Sequence, residues 1–399
     1  MLHLVLMTLL TASTARDTPV FAIVVTRHGV RSFTHTPAGY TWPDWAPVQP
    51  GYLTEHGYRE ITHLGRFYHA YFASIGLPLD CRSRATYVYA DLDQRTLETA
   101  RALIAGACGS PGALPMYHDA QTGPGARDPL FEGLKRPRSR KAAPPSALVA
   151  QHAADFAALQ SLLDAQCNGT CPPVTSEPNP IDTGSTYAES LFLEYAQCGP
   201  AFDRRKLAGA MRVHVLEYDV NSRPPKDSHA RGGNLFAHIV GLLEEKAGIA
   251  HPGVTVPNVM HDNVAFISGH DTQLGALGGI LDAHWPLGNG LVADDMPPGG
   301  ALIFELYRTA AGAYRVRLRF AYETLAQFRS KDALPSGIAF SPVYFAGCTG
   351  RDCSAPLARF VTLAHALERE GFVQRDWTRS SDAPIELAPP ADPSWTHCN

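Results

Sequence analysis

The residues best equipped for chemistry fall in three short clusters: Thr26-Arg27-His28-Gly29-Val30-Arg31, Asp91-Leu92-Asp93-Gln94-Arg95 and Ser268-Gly269-His270-Asp271-Thr272. They supply the guanidiniums of Arg27, Arg31 and Arg95, the imidazoles of His28 and His270, and the carboxyl of Asp271. Guanidinium forks match phosphate oxygens in bidentate fashion and stay charged at any working pH. A phosphoryl group in transfer spreads negative charge over its equatorial oxygens, which fixed cations stabilise. A neutral imidazole nitrogen can attack phosphorus. Neighbouring guanidiniums lower its pKa, so it stays unprotonated in mild acid. A carboxylic acid must protonate the departing alkoxide, and Asp271 is the candidate. Singly, each signal is ordinary: Arg-His-Gly occurs by chance, and Arg95 alone reads as a helix-surface residue. Together, each closing an apolar run, they point to phosphoryl transfer.

The elements that must position these clusters are legible nearby. Phe21-Ala22-Ile23-Val24-Val25, Tyr87-Val88-Tyr89-Ala90 and Val264-Ala265-Phe266-Ile267 read as buried strands. In open α/β sheets, ligands bind beyond the carboxyl ends of such strands. Helical spacing is predicted over 55–72 and 94–107. A hairpin is predicted from 302–307 and 314–323 around Ala310-Ala311-Gly312. In its second arm Tyr314, Val316, Leu318 and Phe320 alternate with Arg315, Arg317 and Arg319, which predicts one buried face and one basic, solvated face. Between about 120 and 250 strand signals are scarce: an exposed loop at 135–145 precedes helical patterns at 147–166, 187–197 and 234–247. The fold class expected is α/β, a central, mostly parallel sheet flanked by helices with a mainly α-helical inserted domain. The catalytic core would be 16–125 and 255–399, and the cap 126–254. His35, His56, His63 and His69 read as solvent-facing or loop histidines.

The chain of 399 residues is 45% apolar and 18% charged, a globular composition. Lys+Arg is 34 against Asp+Glu 38, a net charge of −4, which argues against a nucleic-acid partner. The 17 His would turn the protein cationic in acid, suiting an anionic substrate met at low pH. The apolar run Leu2 to Leu10 is too short to span a bilayer, and Ser13-Thr14-Ala15 offers the small residues a signal peptidase requires. Residues 1–15 are therefore expected to be a signal peptide, placing the chain in the periplasm or outside the cell. No later run approaches ~18 apolar residues, so no membrane contact is expected after cleavage. The 8 Cys, an even count, fit disulfides in an oxidising compartment, with Cys167/Cys171 and Cys348/Cys353 paired by closeness. Paired CxxC spacing is missing, so neither a metal nor another cofactor is expected. A monomer acting on small phosphate esters is expected.

Arg27-His28-Gly29-Val30-Arg31 and Gly269-His270-Asp271-Thr272 resemble the two signatures of the histidine acid phosphatases. The chain looks most like the bacterial periplasmic phytases and glucose-1-phosphatases. The resemblance extends to Asp91-Leu92-Asp93-Gln94-Arg95-Thr96, Leu274-Gly275-Ala276-Leu277-Gly278-Gly279, Pro297-Pro298-Gly299-Gly300, and Ala346-Gly347-Cys348 with Cys353 following. It implies a phosphoglycerate mutase-like sheet. It makes His28 the nucleophile that becomes phosphorylated, Arg27, Arg31, Arg95 and His270 the phosphate pocket, and Asp271 the proton donor. Glu189 matches an acidic residue lining the substrate cleft, and Thr34, His35 and Thr272 are further cleft candidates. The family usually has Pro two residues after the second Arg, where this chain has Phe33, so the loop 32–40 and the substrate it admits should differ. The resemblance also implies Cys81–Cys108, leaving Cys198–Cys398 by elimination. The function expected is a secreted acid phosphomonoesterase of phytate or sugar phosphates. Its rivals are a glucose-1-phosphatase or broad acid phosphatase with little phytase activity, an intracellular mutase sharing the Arg-His-Gly signature, and a non-catalytic binder of phosphorylated sugars.

Overall fold

Strand β1 (Thr18–Arg27) buries both faces: Phe21, Ile23 and Val25 enter one core, Ala22 and Val24 the other. This double burial explains the unbroken apolar run, because a strand covered on both sides has no polar alternation. The computed structural model describes residues 17–82, 85–121, 126–134, 146–167, 171–330, 338–377, 379 and 389–398. The expected signal segment 1–15 and the basic loop 135–145 lie outside the described residues.

After β1 come helix α1 (Glu55–Ser74), strand β2 (Thr86–Ala90) and helix α2 (Gln94–Cys108). Six helices follow: α3 (Pro129–Glu132), α4 (Ser146–Gln151), α5 (Ala153–Leu163), α6 (Pro180–Ala196), α7 (Arg204–Asn221) and α8 (Pro225–Ala247). The chain then forms β3 (Val264–Gly269), α9 (Asp271–Leu281), β4 (Ala301–Arg308), β5 (Tyr314–Tyr322), β6 (Ala339–Pro342), β7 (Ser354–Pro356) and α10 (Leu357–Arg369). The 7-stranded sheet runs β2-β3-β1-β4-β5-β6, with β7 pairing β5. The strands β2, β3 and β1 are mutually parallel, and β4 onward is antiparallel. Ile61, Leu64, Tyr68 and Phe72 of α1 and Leu97 and Leu103 of α2 cover one face with Ala22 and Val24. Residues of α8, α9 and α10, among them Phe236, Leu277 and Phe360, cover the other.

Between β2 and β3 the described residues are helical, with no strand. The helix predicted over 147–166 is interrupted at His152, giving α4 and α5. Helix α6 begins at Pro180 rather than 187, with Asn179 capping it and Pro at its first turn. Helix α7 was not anticipated. It starts at Asp203, whose Oδ1 accepts from the amides of Arg205 and Lys206.

Two expectations are corrected. His56 is not solvent-facing: it is 1% exposed, with Nε2 on the carbonyl of Phe328 at 2.8 Å. The cause is the chain end folding over the start of α1, where Asp392 accepts from the His56 amide at 2.8 Å. The arginine face of β5 is half-buried rather than solvated. Arg317 donates to Glu305 at 2.7 Å, and Arg315 to Ser354 Oγ at 3.0 Å. Glu305 is fully buried and also accepts from Tyr71, so a charge on one strand is answered by its neighbour rather than by water.

The disulfides join Cys167–Cys171 and Cys348–Cys353, the pairs expected from closeness, Cys81–Cys108, the pair the resemblance implied, and Cys198–Cys398, the pair left over. No helix among the described residues is long and apolar enough to cross a membrane.

Candidate active site

Parallel pairing brings the carboxyl ends of β1, β2 and β3 together, and the three clusters with them. His28 follows β1, stitched by its amide to the carbonyl of Gly269 at 2.9 Å and by its carbonyl to the amide of Gly299 at 3.0 Å. The turn beyond it needs glycine. A Cβ on Gly29 would lie 2.7 Å from Ile61, and one on Gly57 of α1 would lie 2.2 Å from the carbonyl of Val30. The imidazole of His28 is 2% exposed, and its Nδ1 meets the Gly29 carbonyl at 2.9 Å. Nδ1–H therefore donates there, which leaves the lone pair on Nε2, and Nε2 has no partner among the described residues.

Arg27 is 1% exposed. It donates to the Met296 carbonyl at 2.5 Å, pairs with Asp271 Oδ2 at 2.8 Å, and donates to Glu189. Arg31 reaches the same Glu189 oxygen at 3.0 Å. Arg95, from the first turn of α2, contacts Asp93 at 2.7 Å and His270 Nε2 at 2.8 Å. The His270 ring also meets Asp91 at 3.2 Å and Asp93 at 2.9 Å. The rings of His28 and His270 stand edge to face with centroids 5.5 Å apart. Asp271 opens α9, its Oδ1 accepting from the Thr272 amide at 2.7 Å.

The electrostatics divide the two histidines. Burial, then the charges of Arg95, Arg27 and Arg31, push His28 well below the ordinary imidazole range. Burial disfavours charge on His270 too, yet hydrogen bonds to Asp91 and Asp93 prevail and raise it. Burial acts against the charge of Asp271, but Arg27, His214 and His270 hold its carboxyl below the usual range. Glu189 is likewise lowered, its burial outweighed by Arg31 and Arg27. One buried nitrogen is thus kept neutral among fixed cations, while the carboxylates beside it stay ionised. Such an arrangement suits a nucleophile facing an anionic phosphoryl group.

The other cleft candidates sit at the rim. Thr34 and His35 are exposed, Thr34 Oγ1 being 3.2 Å from His35 Nδ1. A Cβ on Gly51 would lie 3.4 Å from Thr34 and 3.5 Å from Arg95 Nη1, so this loop borders the arginine cluster. Phe33 points inward against Trp42 and Trp45, at centroid distances of 5.5 and 5.0 Å. With His35 and Pro43 they line a cavity of about 460 Å³. Thr272 is half-buried in the first turn of α9.

Sequence reasoning gave no role to several residues in or behind the site. Asp91 and Asp93 orient His270, and their place directly after β2 was the available signal. His214 and Tyr218 of α7 lie behind Glu189 and Asp271, and the i,i+4 spacing of two polar rings in an otherwise apolar stripe was the only hint. Asp295, fully buried near Arg27, is pushed up to about 7 by burial. Nothing in its local sequence marked it.

The sequence model of the histidine phosphatase superfamily (branch 2) matches residues 20–321. The chain is 27% identical over 372 residues to the phytase AppA of Escherichia coli (strain K12), spanning 78% of this chain and 82% of that protein. Its structure resembles that of Hafnia alvei phytase in complex with tartrate, with a TM-score of 0.76 and 28% identity over 90% of this chain and 98% of the other. It also resembles the same phytase in complex with myo-inositol hexakis sulphate, with a TM-score of 0.74 and 26% identity over 90% and 98%. A match running through both signature clusters, on a fold shared nearly end to end, places this chain in the histidine phosphatase superfamily, branch 2, among the enzymes that hydrolyse phosphomonoesters.

Proposed function

We propose that the protein is a secreted, periplasmic acid phosphatase acting through a phosphohistidine on His28, without metal or other cofactor, as a monomer that binds no nucleic acid. The observation that carries this reading is the free Nε2 of a buried, neutral His28 among Arg27, Arg31 and Arg95. The substrate phosphate takes the guanidiniums. Nε2 attacks phosphorus, the ester P–O bond breaks, and protonated Asp271 gives its proton to the leaving oxygen. Water then attacks the phosphohistidine, Asp271 accepts the water's proton, and inorganic phosphate leaves. In the free protein Asp271 is ionised against Arg27. Phosphate competing for Arg27 removes the charge that holds Asp271 ionised, so substrate binding and proton uptake by Asp271 go together. The helices of 126–254 serve as a cap, with α6 and α7 facing the site and α8 lying on the sheet.

For the substrate we favour phytate over sugar phosphates by a small margin, supported by the phytases the chain is similar to. The margin is small because Phe33, packed on Trp42, and His35 alter the rim loop. A panel of phytate, glucose-1-phosphate and p-nitrophenyl phosphate tests the reading. Activity should peak in acid, and phytate preference should be greater at acid than at neutral pH. Phytate turnover below about a hundredth of glucose-1-phosphate turnover at both acid and neutral pH would overturn the phytase reading in favour of the glucose-1-phosphatase one. Alkali-stable phosphate on quenched protein, labile in acid, tests the intermediate; its absence would overturn the phosphohistidine route, and absence of any turnover as well would leave a binder of phosphorylated sugars.

A further inference from the structure

Helices α6 and α7 present facing i,i+4 pairs to the site: Ser185 and Glu189 from one, His214 and Tyr218 from the other. His214 is 4% exposed and held at both ring nitrogens, Nδ1 at 2.9 Å from Ser185 Oγ and Nε2 at 3.1 Å from Tyr218 OH. A ring so clamped has one orientation. It offers a nitrogen within 4.8 Å of carboxylate oxygens of both Glu189 and Asp271. In the free protein those carboxylates are anchored by Arg27, and Glu189 also by Arg31. A substrate phosphate claims the same guanidiniums. Once it does, Asp271 keeps the Thr272 amide on one oxygen, and the neighbouring polar side chains on the α7 side are His214 and Tyr218.

We propose that His214 is a positioning residue for the proton donor: its clamped imidazole steadies Asp271 and Glu189 when the phosphate takes Arg27 and Arg31, so that the Asp271 proton is aimed at the leaving oxygen. This rests on the hydrolase reading above. Neutral imidazole suits the task, since an imidazolium would add a third cation and keep Asp271 ionised. Burial lowers the His214 pKa, with Arg27 acting in the same direction and Glu189 and Asp271 opposing it. Tyr218 is its partner, filling the space behind the ring at a centroid distance of 5.0 Å.

The test compares a glycerol phosphate with p-nitrophenyl phosphate in the full-length protein carrying His214→Gln, and separately Tyr218→Phe. Misaiming a general acid costs rate only where the leaving group needs a proton. We expect His214→Gln to lower kcat on the glycerol ester about tenfold, and on the nitrophenyl ester by less than about twofold. Tyr218→Phe, which keeps the ring volume and loses the clamp, should show the same split at smaller size. Equal losses on both esters would mark a merely structural residue and overturn the proposal, as would unchanged rates on both. Failure of the hydrolase reading is seen separately, in wild-type protein that turns over neither ester or carries no phosphate on His28.

Discussion

Two arginine–carboxylate clusters lie on opposite halves of one sheet, and they are built to opposite ends. On the antiparallel half, Glu305 is closed off: Tyr71, Tyr307 and Arg317 all donate to it, and the Arg317 guanidinium lies 4.7 Å over the Tyr307 ring. On the parallel half, a single Glu189 oxygen is shared between Arg27 and Arg31. The Nε atoms of three guanidiniums there, Arg27, Arg31 and Arg95, are buried without a protein acceptor, against that of Arg319 beside Glu305, and His28 Nε2 stands open beside them. Unsatisfied buried donors are costly. The first cluster stabilises a sheet, whereas the second holds donors back for an anion that arrives later. The difference teaches that a buried ion pair must be read by what it leaves unpaired.

The sharpest break of this comparison is His28→Ala. It should lower turnover by at least about 10³-fold, because no other group can form the covalent intermediate, and leave the urea midpoint close to wild type. Steady-state rates and a denaturation curve on the same protein read both halves of the statement. Asp271→Asn comes next. On alkyl phosphates a loss of about 10²–10³-fold is expected, and on p-nitrophenyl phosphate a mild one, since that leaving group needs little help. Equal losses would mean that Asp271 is not the acid.

Glu305→Ala should do the reverse. It strips a fully buried carboxylate from Arg317, and chemical denaturation should show a loss of about 3 kcal/mol while kcat on p-nitrophenyl phosphate stays within about twofold. A comparable fall in kcat would mean the two halves are coupled.

The smallest effect expected is on the pH dependence of stability. Burial raises Glu323 to about 8, Glu194 to about 8 and Asp128 to about 8. These carboxyls bind protons more tightly folded than unfolded. Their contribution is complete below the ordinary carboxylate range and is lost as pH rises through about 8. Urea midpoints at neutral and mildly alkaline pH, above the range where the buried His28, His56, His214 and His238 act in the opposite sense, should therefore fall with rising pH. A midpoint higher at the alkaline end would contradict the sign.

The core of the site was legible because its residues directly follow β-strands, where adjacency in sequence becomes adjacency in space. Arg27, His28 and Arg31, and likewise His270 and Asp271, sit at the ends of apolar runs that could only be buried strands. The helices α1 and α2 and the β4–β5 hairpin were legible from periodicity alone. What lay beyond reach depends on contacts distant in sequence. The arginines of β5 looked solvated because their partners, Glu305 for Arg317 and Ser354 for Arg315, sit on the neighbouring strands. His56 looked exposed because its cover is the chain around Asp392. Helix α7 escaped because its first turn is Arg204-Arg205-Lys206 and its buried positions mix His214 and Tyr218 with aliphatic ones. A ring held between two polar partners behind an active site has no one-dimensional signature.

The strands β2 and β3 are neighbours in the sheet, yet the whole run from α3 to α8 leaves and returns between them. For protein engineering this makes the run look like an interchangeable module, although α8 covers one face of the sheet and would have to be matched in any exchange. It is not a neutral cassette, because Glu189 and His214 travel with it. A chimera that grafts a relative's helices onto this sheet would import both the donor's cleft and its setting of the proton donor. Substrate range and leaving-group preference would then be inherited together, and a library built on such swaps should vary the two as one trait.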